Sequence, residues 1–177
     1  MNRQTLFNIH FYLSAFFTPF LLLMAITGSL YLFNEKGAIT KTLVQENIVF
    51  NQEMTKKEQI SKILGKTDKD YRFEYLKDRG SSIQTRPTTR DYFNFVKKSD
   101  GSFSLYKQEP NFLSRVIEVH KGHGPGLLKD LQKVLGISLT LIVISGFLMS
   151  MKITERIKSF LITMSVGTII LFLLFLL

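Results

Sequence analysis

The chain has 177 residues, 45% of them hydrophobic and 21% charged, with a formal net charge of +9. That balance permits a soluble fold, and the length suggests one domain with additions. With no cysteine, disulfides, thiolate catalysis, Cys-ligated zinc and iron–sulfur clusters are excluded. No nucleic-acid-binding motif accompanies the positive charge.

The distribution of charge says more than its total. Residues 4–34, 134–151 and 159–177 carry no charged side chain. About 20 apolar residues at ~1.5 Å rise cross the ~30 Å hydrocarbon core, so each run is long enough to span a membrane, the middle one with help from Leu131 and the snorkelling stems of Lys133 and Lys152. The polar residues of 137–150 are only Ser and Thr, which bond back to their own helix and are tolerated in lipid. The first run is far longer than the 7–15 residues of a signal h-region, and its exit keeps Tyr31 and Phe33 where a cleavage site needs small residues. It reads as an uncleaved anchor.

In chain order, residues 1–8 form a cytoplasmic N-terminus and 9–33 the first transmembrane helix. Residues 34–110 form an extracytoplasmic α+β domain. Thr55 and Glu58 make a capping box; Ile60, Ile63 and Leu64 follow at helical spacing, and Gly65 supplies the stop, so the spacing predicts a helix over 56–64. Residues 71–78 alternate aromatic and charged side chains like a half-buried strand. Residues 81–89 read as its partner, with Pro87 at an edge or strand end. Asp100-Gly101, between alternating Phe93, Phe95, Phe103 and Leu105, predicts a tight hairpin. One helix and about four antiparallel strands result.

Residues 111–126 are an amphipathic interfacial helix and a Gly/Pro turn, with Phe112, Val116, Val119 and either Ile117 or Leu113 as the apolar stripe. Then come the second transmembrane helix (127–151), a cytoplasmic loop (152–158) and the third transmembrane helix (159–177). Orientation follows from that short loop, where Lys152, Arg156 and Lys158 outweigh Glu155. It belongs inside with the N-terminus, which places 34–133 and the C-terminus outside. Segment 34–133 holds 19 Lys and Arg against 13 Asp and Glu, read as a solvated, modestly basic surface.

Chemistry rests on three histidines, His10, His120 and His123. There is no catalytic serine frame, carboxylate pair, HExxH or phosphate-binding Gly loop. The charge-free runs 4–34, 134–151 and 159–177 hold no Asp, Glu, Lys or Arg, which argues against a proton or ion relay. Imidazoles suit haem, copper or zinc. His10, at the inner end of the first span, reads either as a ligand or as an interfacial residue among headgroups. His120 and His123, at i and i+3, read either as cis ligands of one small cation or as polar residues of a Gly-rich turn. Two ligands are too few for zinc or copper, so Glu118 or a second chain would complete that site. His10 and His120 fall at opposite membrane faces, ~30 Å apart, and cannot share a metal within one chain. A bis-histidine haem would need a ligand from a second protomer or another subunit; Met24, Met149 and Met151 are the other axial candidates. Thr27-Gly28-Ser29 and Ser145-Gly146 read as close helix-packing points.

Three stretches resemble the PepSY-associated transmembrane proteins of bacteria. Residues 9–33 open on Ile9-His10 and run through an apolar span to Thr27-Gly28. The middle domain has the layout of a PepSY domain, a helix after Thr55 and then strands with the Asp100-Gly101 hairpin. Residues 119–150 carry Val119-His120, the Gly-rich turn and a second span closing in Ser145-Gly146. The resemblance implies a multi-pass protein of the bacterial inner membrane with a periplasmic PepSY-like domain. It implies a link to iron acquisition, and haem b held by His10 and His120, with His123 next. The chain departs from the larger haem-containing ferric-siderophore reductases of this kinship in having three spans, three histidines and no tryptophan.

Two functions compete on these grounds. One is an electron-transfer component, partnered by a second copy or a membrane redox protein, that reduces a periplasmic ferric or other metal acceptor. The other is a non-catalytic, membrane-anchored binding module whose PepSY-like domain holds a periplasmic protein or ligand. Whether the chain is an enzyme stays open.

Overall fold

The computed structural model describes residues 2–51 and 54–177. In chain order its elements are α1 (Arg3–Leu32), β1 (Ile39–Ile48), α2 (Lys56–Thr67), β2 (Tyr75–Asp78), β3 (Ser82–Arg86), β4 (Tyr92–Lys97), β5 (Phe103–Pro110), α3 (Phe112–His120), α4 (Gly126–Met151), a 3-10 turn (Thr154–Arg156) and α5 (Ile157–Leu176). Helices α1, α4 and α5 are long and apolar enough to cross a membrane. At ~1.5 Å per residue even α5, with 20 residues, reaches ~30 Å. The chain is a multi-pass membrane protein. It divides into two compact units, residues 24–132 and residues 1–23 with 133–177.

The unit of residues 24–132 is built on one antiparallel five-stranded sheet in the order β1-β5-β4-β3-β2. On one face, Ile83, Phe93, Phe95 and Leu105 meet Ile60 and Leu64 of α2, with Ile48 completing the core. The alternation that predicted the hairpin is what puts Phe93, Phe95 and Leu105 on this face. Pairing Phe95 with Leu105 and Ile83 stacks three apolar side chains across neighbouring strands. At the hairpin tip Gly101 has φ +85, and Asp100 accepts from the Ser102 amide at 2.9 Å.

Helix α2 starts as its capping box requires, Thr55 accepting from the Glu58 amide and Glu58 from the Thr55 amide, both at 3.3 Å. It does not stop at Gly65 but continues to Thr67, where the Asp68 amide closes the last turn on the Leu64 carbonyl. Nothing lies within 4 Å of a Cβ placed at Gly65, so the glycine is a weak helix position rather than a cap, tolerated because its neighbour Leu64 is buried. Residues 71–74 are not strand. Tyr71 instead turns into the core, its ring edge-on to Phe93 at 4.8 Å and its hydroxyl 2.6 Å from Thr85 Oγ1. Strand β1 was not foreseen. It pairs with β5 from Ile39 opposite Pro110, with bulges after Leu43, and every residue from 39 to 47 is exposed. An edge strand without a buried face shows no period-2 pattern.

Helix α3 is capped by Asn111, whose side chain accepts from the Ser114 amide at 2.9 Å. Gly37, at φ +70, lies so close that a Cβ there would stand 2.4 Å from the Ser114 nitrogen. The buried side of α3 is Ser114 and Ile117, whereas Phe112, expected in the stripe, is 82% exposed. The start of α4 is tied to the sheet: the Gly126 amide donates to Glu74 at 3.0 Å, and Lys129 to the Tyr75 hydroxyl at 2.6 Å.

In the unit of residues 1–23 and 133–177, Leu6, Phe17, Leu135, Ser138 and Ser145 are buried, and α5 buries none of its residues. The span hydroxyls behave as lipid demands, Thr18 bonding to the Ser14 carbonyl at 2.6 Å, Thr140 to Gly136 at 3.1 Å and Thr168 to Met164 at 2.9 Å. The apolar side chains left exposed on all three helices are what a hydrocarbon solvent covers.

Candidate histidine sites

His10, within α1, places Nδ1 2.9 Å from Ser145 Oγ on α4. Ser145 Oγ also donates to the Ile142 carbonyl at 2.9 Å. A hydroxyl has one hydrogen and a carbonyl can only accept. With that hydrogen given to Ile142, the oxygen has only its acceptor capacity left for the His10 ring. The approach needs Gly146, because a Cβ there would stand 3.3 Å from His10 Cε1 and 3.7 Å from Nδ1.

His120, the last residue of α3, repeats the arrangement on other elements. Its Nδ1 is 3.2 Å from Thr27 Oγ1 on α1, and Thr27 donates to the Met24 carbonyl at 3.3 Å. Gly28 makes room for the ring, a Cβ there meeting His120 Cε1 at 3.0 Å. Both imidazoles are half-buried. Neither Nε2 has a hydrogen-bond partner among the described residues, so each ring is anchored by one nitrogen and presents the other.

The pairing of each histidine with a hydroxyl–glycine step was not read from the sequence, where Thr27-Gly28 and Ser145-Gly146 stood as helix-packing points. A signal was present. Helix α1 opens near His10 and closes near Thr27-Gly28, and α4 follows His120 and closes near Ser145-Gly146.

His123 is placed differently. Helix α3 ends at His120, and Gly122 at φ +73 turns the chain, so His120 and His123 do not share a helical face as the i, i+3 spacing predicted. His123 Nδ1 lies 2.7 Å from Glu118 Oε2, which also accepts from Thr88 Oγ1 at 2.5 Å. Lys121 pairs with the other Glu118 oxygen, and the buried Arg86 guanidinium stands 3.7 Å away. The Thr88 amide donates to the His123 carbonyl at 3.2 Å. Burial pushes the Glu118 carboxyl up, but bonds from Lys121, Thr88 and His123 outweigh it and hold it below the ordinary carboxylate value. Burial lowers the His123 pKa, with Arg86 and Lys121 adding to it and the Glu118 bond opposing. The cluster fastens the Gly-rich turn to the end of β3. No group of three or more His, Cys, Asp or Glu that could hold a metal occurs among the described residues.

The family model of the PepSY-associated TM region matches residues 7–163. The chain belongs to that family. The match takes in His10, His120, His123, both hydroxyl–glycine steps and the whole sheet domain. No curated protein and no solved structure matches this PepSY-family chain.

Proposed function

We propose that this PepSY-associated membrane protein is a haem-bearing electron-transfer component whose iron ligands are His10 and His120. One observation supports the reading above the rest: both rings are fixed at Nδ1, and neither Nε2 has a hydrogen-bond partner among the described residues. A metal takes imidazole through its unprotonated nitrogen, while the other N–H is held by a second group. The donor chemistry therefore fits haem, one imidazole to each site. With one imidazole at each site, holding the group would take a further ligand from another chain, either a second copy or a membrane redox partner. A haem b bound there supplies one-electron exchange between ferric and ferrous iron. The chain's own residues orient the imidazoles through Ser145 and Thr27.

The basic loop at 152–158 supports an orientation with 34–133 outside the bacterial inner membrane. Electrons would then pass outward to a ferric or other oxidised metal acceptor. The test is the visible spectrum of the purified protein from haem-replete cells. A Soret band is expected, and its absence removes the redox reading.

A further inference from the structure

Every unit of this arrangement occurs twice on different elements, and the repeat carries more than a packing role for the small residues. A glycine alone would let a ring approach. It would not explain why the residue before each glycine is a hydroxyl whose oxygen faces Nδ1, or why that hydroxyl's own hydrogen goes to a helix carbonyl, from Ser145 to Ile142 and from Thr27 to Met24. Neutral imidazole has two tautomers, and free histidine in water favours neither strongly enough to fix a ligand. A hydroxyl that can only accept selects Nδ1–H. We infer that Ser145 and Thr27 are positioning residues that hold His10 and His120 in the Nδ1–H tautomer, so that Nε2 is the bare, ligand-ready nitrogen in each, while Gly146 and Gly28 let the rings reach them.

Both hydroxyls are fitted to this work. Thr27 and Ser145 are buried, so each hydroxyl's bond to Nδ1 is shielded from competing water. The bond lengths, 2.9 Å for His10 and 3.2 Å for His120, lie within the ordinary range for a nitrogen donor. Polar partners in this outer position typically change metal affinity 10–100-fold when removed. The inference rests on the ligand reading for its purpose, but the tautomers exist without any haem.

The experiment is 15N NMR of ring-labelled histidine in the haem-free full-length protein in lipid nanodiscs. Three histidines make assignment possible with single His→Gln variants. His10 and His120 are expected to show protonated Nδ1 and unprotonated Nε2. Ser145→Ala should shift His10 toward the Nε2–H form and leave His120 unchanged, Thr27→Val should do the converse, and Ser145→Thr should restore the wild-type signature. Nε2–H tautomers in the wild type, or a His10 signal indifferent to Ser145→Ala, would overturn the inference. The two proposals fail separately. Wild-type Nδ1–H signals without a Soret band retain the positioning role and remove haem; a Soret band over Nε2–H imidazoles does the opposite.

Discussion

Glu118 shows how much one side chain can hold. It is the shared acceptor for Thr88, Lys121 and His123 and the counter-charge of Arg86, whose side chain is 3% exposed. Removing one partner of a buried pair costs about 3–5 kcal/mol, because the remaining charge is left without compensation. Glu118→Ala should lower the thermal midpoint of the full chain accordingly, and an unchanged midpoint would show that Arg86 finds another partner. The pH dependence has a definite sign. Both His123 and Glu118 have pKa values lowered by folding, so the unfolded chain binds protons first. Their contributions are complete above the ordinary values of 6.5 and 4.5, and are lost as pH falls through the lowered folded values. Thermal unfolding followed from pH 8 to pH 4 should show a midpoint falling with pH in two stages, and His123→Gln should remove the upper one.

At the scale of elements, α2 is held by few but well-buried contacts. Ile60 is fully buried against the sheet, and Ile60→Ala removes three carbons and leaves a cavity, a change that costs about 2–5 kcal/mol. Chemical unfolding should detect the loss, and a shift below about 1 kcal/mol would mean that the α2–sheet seam is looser than its burial implies. Which elements could be read beforehand follows from the same physics. Helix α2 was legible because Thr55, Glu58, Ile60 and Leu64 act through local spacing. The β4–β5 hairpin was legible because Asp100-Gly101 sits between strands with one face in the core. Strand β1 was not, since an exposed strand leaves no trace in its own hydrophobic pattern and depends on β5 for its existence. Gly65 misled because a glycine after an apolar stripe looks like a cap, whereas the helix end is decided by where the Asp68 amide finds a carbonyl. The histidine notches involve side chains 135 and 93 residues apart, so the recurring hydroxyl–glycine steps do not show on their own which histidine each one meets.

For the whole molecule, the sequence disclosed three spans and a family because lipid imposes a composition on every residue of a span. It disclosed less about sidedness, which rests on four charged residues in the loop 152–158. The absence of cysteine makes that proposal testable: a cysteine at exposed Val49 should react with a membrane-impermeant maleimide in intact cells, and one at Lys158 only after lysis. The reverse pattern would invert the topology and place the sheet domain inside.

Iron ligation by His10 and His120 is read most directly from the dithionite-reduced minus oxidised absorption spectrum of the detergent-purified protein. Wild-type protein should show a Soret band with sharp reduced α and β bands, diminished in His10→Ala and in His120→Ala and lost when the two are combined. A flat spectrum from haem-replete cells, or full bands in the double variant, would contradict it; the flat spectrum would leave a membrane-anchored PepSY domain that acts by binding.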